Sequence, residues 1–184
     1  MAILKIARMG HPILTRRAEP VADPRSGETR RLIADMIETM LDAGGAGLAA
    51  PQVHVPLRLF VFRVSPERAS GGPEDSPMPV TVVINPELAL LSEERELRWE
   101  GCLSIPGLRG AVPRAPRIRY AGLDGEGKPI EAFASGFHAN VVQHEYDHLD
   151  GILYPMRMKD FSLFGFAEEL ARADSQGAGD DAGA

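Results

Sequence analysis

The chain is predicted to be an α+β protein, with antiparallel β-sheets packed around a central helix and a further helix towards each end. Three observations predict this. A helical apolar pattern occupies the first quarter, a series of short β-branched or alternating segments follows, and a second helical pattern carrying two histidines comes after them.

The N-terminal helix is signalled by Asp23-Pro24 and by Leu32, Ile33, Met36, Ile37, Met40 and Leu41 at helical spacing, and Gly44-Gly45 ends it. Strands are expected at Leu57 to Val64, Val80 to Asn85, Leu88 to Leu91, Glu94 to Trp99, Arg117 to Leu123 and Pro129 to Phe133, with turn chemistry such as Asp124-Gly125-Glu126-Gly127 between them. The central helix runs from near Ser135 to Leu149, and Gly151 is placed to cap it. Phe161 to Ala173 reads as an amphipathic C-terminal helix. Ser65 to Met78 is rich in Pro, Gly and Ser and reads as a surface loop; Ser175 to Ala184 reads as disordered. The expected organisation is one domain over residues 1–172 and a disordered tail over 173–184.

Composition sets limits on function. With 184 residues and 44% hydrophobic content, the chain is long enough for one well-buried core and short for two. A formal net charge of -6 argues against a free-standing nucleic-acid binder, and no DNA partner is expected. Arg109, Arg114, Arg117 and Arg119 are a candidate patch for transient contact with ribosomal RNA, against the plainer reading of separate surface arginines. One cysteine excludes a disulfide framework. Met1 to Arg8 lacks a long apolar core followed by a cleavage site, and no run approaches the ~20 apolar residues of a membrane span. The expected location is the cytoplasm, with no membrane partner.

The most informative stretch is His144-Glu145-Tyr146-Asp147-His148. On a helix, histidines four residues apart project from one face, where both imidazoles reach one metal ion. Glu145 between them is placed to take a proton from water. The third ligand separates the chemistries. A long metzincin pattern fails because Tyr154 stands where a third histidine would be. A thermolysin-like site would use a downstream acid, Glu168 or Glu169, although two adjacent acids on a C-terminal helix read more simply as a solvated face. Cys102, in Glu100-Gly101-Cys102-Leu103-Ser104, is the upstream candidate. A lone cysteine is ordinarily a small buried hydrophobe, but Gly101 and Ser104 would present this thiol at a turn, and a thiolate partners two imidazoles well. A non-catalytic, metal-stabilised binding module is a third reading; it has no use for Glu145.

A third segment, Gly44-Gly45-Ala46-Gly47-Leu48-Ala49-Ala50-Pro51-Gln52, follows a helix and fits neither a dinucleotide fingerprint nor a phosphate loop. Its Gln52 has an amide N–H suited to a developing oxyanion.

Together these three segments resemble the peptide deformylase family, in a Gly-x-Gly-Leu-Ala-Ala-x-Gln loop (Gly45 to Gln52), a Glu-Gly-Cys-Leu-Ser turn (Glu100 to Ser104) and a Gln-His-Glu-x-Asp-His helix (Gln143 to His148). The likeness spans Ile3 to about Phe166. It implies that the chain removes the formyl group from the initiator methionine of nascent polypeptides. It implies Cys102, His144 and His148 as metal ligands, Glu145 as general acid and base, and Gln52 with the backbone N–H of Leu103 as holders of the formyl oxygen. It also implies ferrous iron in the cell, with Zn(II), Ni(II) or Co(II) able to substitute. Arg109, in Ile105-Pro106-Gly107-Leu108-Arg109, matches an arginine that in relatives lies along the peptide. Phe137 and Val141, on the His144 face, are candidate walls of a methionine slot together with Ala46 between Gly45 and Gly47. The glycine loop and the edge from Gly101 to Arg109 offer backbone groups to an extended peptide.

Overall fold

The computed structural model describes residues 2–180. A five-stranded sheet has the order β1-β2-β3-β6-β7, formed by Gly47–Ala49, Leu59–Val64, Met78–Leu90, Arg117–Leu123 and Pro129–Ser135. A three-stranded sheet has the order β4-β5-β8, formed by Glu96–Cys102, Ile105–Arg114 and Phe164–Phe166. Every strand pair is antiparallel, as the α+β expectation required.

Strand β2 explains how two helices share one sheet. Side chains alternate between faces along a strand, and β2 is apolar on both. Leu59 and Val61 join a core with Ile33, Met36 and Met40 of α1 (Gly27–Asp42), whereas Phe60, Phe62 and Val64 join a core with Ala139, Val142 and Leu149 of α2 (Gly136–Leu149). The two helices therefore cover opposite faces. A third cluster, with Leu14, Ile105, Val112, Leu153 and Tyr154, supports the small sheet.

Several boundaries differ from expectation. Helix α1 begins at Gly27 because Ser26 caps it, its hydroxyl accepting the Thr29 N–H at 3.0 Å. The two strands expected around Pro86 are one strand, β3, with a register shift where Asn85 takes φ 51° and bonds both the N–H and the carbonyl of Val21. Strand β5 was not expected at all. Pro106, Gly107, Gly110 and Pro113 disguise it, yet it is the central strand of its sheet. The amphipathic helix expected over Phe161 to Ala173 is replaced by a 3-10 turn at Phe161–Leu163, strand β8, and only then α3 at Ala167–Asp180. Phe164-Gly165-Phe166 pairs with Leu108 to Gly110, and that pairing overrides the helical pattern. Helix α3 continues past residue 173, where the tail was expected to begin; residues 181–184 lie outside those described.

Helix α2 is anchored at both ends. Asp75, buried in the loop between β2 and β3, accepts from the backbone N–H groups of Phe137 and His138 at 3.2 and 3.0 Å, and from that of Ser70 at 3.0 Å. At the far end, Gly151 adopts φ 71° and the Ile152 N–H returns to the Asp147 carbonyl at 2.9 Å, the cap that the sequence predicted. Midway, the Gln143 amide bonds both the N–H and the carbonyl of Ala115. Among the described residues, no helix is long and apolar enough to cross a membrane.

Candidate active site

Helix α2 and the end of β4 bring Cys102, His144 and His148 together, with one ligand atom from each lying within 4.8 Å of the others. The register of β4 against β5 shifts between Gly101 and Cys102, which turns the thiol towards the helix. Cys102 Sγ stands 3.3 Å from His148 Nε2. Metal–sulfur and metal–nitrogen bonds of about 2.3 and 2.1 Å at a tetrahedral angle would separate the two atoms by roughly 3.6 Å, so the donor set suits a divalent ion.

The imidazole of His144 is oriented from behind. Its Nδ1 meets Glu100 Oε2 at 2.8 Å, which leaves Nε2 for the ligand side. Glu100 is gripped in turn by Arg114, whose Nε and second terminal nitrogen reach its two oxygens at 2.7 and 3.0 Å. The same guanidinium donates to Asp147 at 2.6 Å, and Arg157 also binds Asp147, at 2.6 Å. Burial opposes the charge of Glu100, but hydrogen bonds from His144 and Arg114 overcome it and hold the carboxyl at about 2. Burial likewise opposes charge on His144, yet Cys102 and Glu100 keep it well above the usual histidine value. His148 lies well below that value because burial and repulsion from His144 act together. Tyr154 stacks on His144 with ring centres 6.1 Å apart.

Glu145 is buried, and its Oε2 has no partner among the described residues. Burial raises this carboxyl to about 7, the Glu100 charge adding to the effect and His144 opposing it. A group so placed exchanges protons near neutral pH. Gly47 lies directly against it, and a side chain there would overlap the carboxylate. Gln52 faces the same space with its amide fixed: Oε1 accepts the Ala49 N–H at 2.8 Å, so Nε2 points to Ser104 Oγ at 3.1 Å and Cys102 Sγ at 3.5 Å.

These groups open onto a cavity of about 490 Å³. Its lining includes Gly45, Ala46, Gly47, Gly101, Leu103, Arg109, Phe137 and Val141, so every residue expected to touch substrate borders one space. A Cβ on Gly45 would stand 2.9 Å from the tip of the Leu103 side chain, so the glycine lets the loop and that side chain pack closely. Glu168 is exposed on α3 and does not join the three donors, so the thermolysin-like ligand set has no structural counterpart.

The four arginines meet different surroundings. Arg114 is buried against Glu100 and Asp147, Arg117 pairs with Glu74, and Arg119 pairs with Glu131. Only Arg109 of the four lacks an ion pair among the described residues, and it lies at the cavity. Sequence reasoning missed the orienting role of Glu100, the Arg114–Asp147 link, and Arg68 and Trp99 in the cavity wall; helical spacing puts Asn140 on the His144 face but gives it no role. For Glu100 a signal existed, since an acid two residues from a candidate ligand cysteine is suited to hold a histidine.

Comparison with known proteins gives a concordant result. The family described as Polypeptide deformylase matches residues 3–163. Peptide deformylase 2 of Ralstonia nicotianae is 52% identical over 168 residues, covering 91% of this chain and 94% of the relative. Peptide deformylase 1 of Xanthomonas campestris pv. campestris is 52% identical over 169 residues, covering 92% and 98%. Among solved structures, peptide deformylase from Ehrlichia chaffeensis in complex with actinonin superposes with a TM-score of 0.80 at 34% identity, covering 88% of this chain and 92% of that one. The class I type b enzyme from Acinetobacter baumannii gives 0.76 at 38% identity, covering 86% and 100%. With its fold, its motifs and its relatives in agreement over most of its length, the chain belongs to the polypeptide deformylase family.

Proposed function

We infer that Cys102, His144 and His148 hold one divalent metal ion, and that Glu145 moves the protons of the reaction. The chain is a peptide deformylase, a metal-dependent hydrolase that removes the N-formyl group from newly made polypeptides and releases formate. The observation supporting the site assignment is the convergence of three donors, the two histidines buried and Cys102 partly so, beside an unpartnered carboxylate at an open cavity.

Hydrolysis of a formamide needs a nucleophilic water, a home for negative charge on the formyl oxygen, and a proton for the departing amine. When bound, the ion supplies Lewis-acid polarisation and lowers the pKa of water from about 15.7 towards about 7. Glu145 accepts the water proton and returns it to the methionine nitrogen as the C–N bond breaks. Gln52 Nε2 and the Leu103 backbone N–H donate to the formyl oxygen, where one positioned donor is worth roughly 2.7–4 kcal/mol. Glu100 and Arg114 keep His144 in its ligating orientation. Cys102 serves as a ligand and not as a nucleophile, since no covalent intermediate is needed.

Phe137, Val141 and Ala46 form the slot for the methionine side chain. The outer edge of β4 at Gly101, with Gly45 and Gly47 opposite, receives the extended peptide; the expected edge does not reach Arg109, whose backbone is paired with β4 on one side and β8 on the other, so Arg109 meets the peptide with its side chain alone. Ferrous iron is the metal of this reading, with zinc, nickel or cobalt as replacements, and the cytoplasm its location, where reducing conditions protect the thiolate. Residues 1–172 constitute the catalytic unit. Transient ribosome contact also belongs to the reading, although the ion pairs of Arg114, Arg117 and Arg119 leave them poorly suited to carry it.

The test combines metal analysis of protein purified without oxygen with formate release from a formyl-methionyl tripeptide. Cys102→Ala should lose both metal and turnover, whereas Glu168→Ala should keep both. The reverse pattern would overturn the ligand assignment.

A further inference from the structure

One side chain on the His144 face of α2 has its hydrogen-bonding capacity unmet. Asn140 lies four residues before His144, is 7% exposed, and lines the same cavity as Phe137, Val141 and Glu145. Its Oδ1 is sealed from solvent without a partner. The amino end has no acceptor among the described residues and is not sealed in the same way, so it is the end left for a ligand. Burying an amide without partners costs stability, and a leucine of similar size would avoid that cost. Nearby, the Arg68 guanidinium sits 5.0 Å from the centre of the Phe137 ring and has no acidic partner among the described residues. Beside its apolar walls the slot therefore has a largely buried amide donor, which is more polarity than a thioether requires.

We propose that Asn140 is a specificity-determining residue that admits N-formylmethionine sulfoxide as a substrate, donating from its Nδ2 to the sulfoxide oxygen. The proposal rests on the reading above in which Phe137 and Val141 receive the first side chain. Since that first residue is methionine, its oxidised form is the polar variant that an unmet amide can serve. Oxidation turns a weakly accepting sulfur into a polar S=O group on the same carbon chain. A wholly apolar slot would exclude it, because the sulfoxide would lose its water and gain nothing in return. The chemistry at the other end is unchanged. Water adds its hydroxyl to the formyl carbon, the C–N bond breaks, the amine gains the proton, and the sulfur keeps its oxidation state.

The experiment measures kcat/KM for formate release by metal-loaded enzyme on a formyl-methionyl tripeptide and on each of its two sulfoxide epimers. In the native protein, one epimer should react within about tenfold of the thioether peptide. In Asn140→Leu the ratio of sulfoxide to thioether turnover should fall by about tenfold or more, the worth of one hydrogen bond, and mainly through KM. Asn140→Ala, read by the same ratio, guards against overfilling of the slot by leucine. Native turnover of both epimers roughly a hundredfold or more below the thioether would overturn the proposal. So would an unchanged ratio in both Asn140 variants, or a loss that follows Arg68→Met instead. Failure of the native metal-loaded enzyme to release formate from the thioether peptide would overturn the underlying slot and site reading, and this inference with it.

Discussion

Gly47 lies so close to Glu145 that the smallest side chain at position 47 would overlap the carboxylate. The glycine loop and the catalytic helix are thus fitted to each other at the group proposed to carry the proton. Gly47→Ala should push the carboxylate aside while leaving the three donors in place. The expected result is a fall in kcat of about 10- to 100-fold with metal content retained, since small misplacements of a reacting group carry penalties of this order. Formate release and metal analysis on the same sample check it.

Glu145→Gln tests the acid and base role from two directions. Metal should stay bound while formate release falls by orders of magnitude. Stability should move the other way. Because the folded protein holds this carboxyl at about 7 rather than 4.5, metal-free native protein loses stability as pH rises through that window. The full effect is about 3 kcal/mol in the limit of complete burial. Metal-free Glu145→Gln should therefore melt higher than native at pH 8, with the gap closing towards pH 5. Equal melting temperatures at both pH values would contradict the burial argument.

Gln52 is held by the Ala49 N–H so that its amino end meets Cys102 and Ser104. If, as proposed, its amide favours the transition-state oxygen over the ground-state carbonyl, Gln52→Leu should lower kcat by roughly 10²–10³ with much less change in KM. An unaltered kcat would remove Gln52 from the mechanism.

Glu100 links His144 to Arg114. Its carboxyl sits at about 2 in the folded protein against an ordinary 4.5, so the stability it contributes is complete above 4.5 and is lost as pH falls towards 2. Glu100→Gln should accordingly destabilise metal-free protein most at neutral pH and least near pH 3. Metal affinity should drop by about 10- to 100-fold, as for other partners that orient a ligating histidine. Thermal melts across pH and competition with a chelator measure the two effects.

Substrate length provides an independent check on the cavity. A formyl-methionyl tripeptide should outperform formyl-methionine, because main-chain contacts with the open β4 edge at Gly101 and with the glycine loop would add binding energy that the amino acid cannot provide. Its acetylated counterpart should be turned over far more slowly if, as proposed, the space between Gln52, Leu103 and the donors admits only a hydrogen on the acyl carbon. Comparable rates for formyl and acetyl peptides would refute that steric argument.

The chain announced its central helix and the three motifs clearly because each is local: two histidines at helical spacing, a cysteine at a glycine turn, and a glycine-rich loop ending in glutamine. What stayed hidden was contact between distant residues. Glu100 and His144 are 44 positions apart, and nothing in either motif states that one orients the other. Strand β5 was obscured by its prolines and glycines, although its pairing with β4 brings Arg114 under Glu100. Phe164 to Phe166 followed a helical apolar pattern, but the open edge of β5 offered strand pairing that the pattern could not foresee. Arg114 looked like its neighbours Arg117 and Arg119 in sequence; only its position beneath two acids separates an interior residue from two surface ones.

Asp75 gives the surface loop between β2 and β3 a significance beyond connection. The segment has the composition of an exchangeable insertion, and over most of its length it can vary in length at modest cost. At one point it returns a carboxylate to the first backbone donors of the helix bearing Glu145 and both histidines. A loop transplanted from another protein would preserve the catalytic helix only by restoring an acceptor at that spot. Asp75 thus marks the boundary between what this scaffold can trade away and what it must keep.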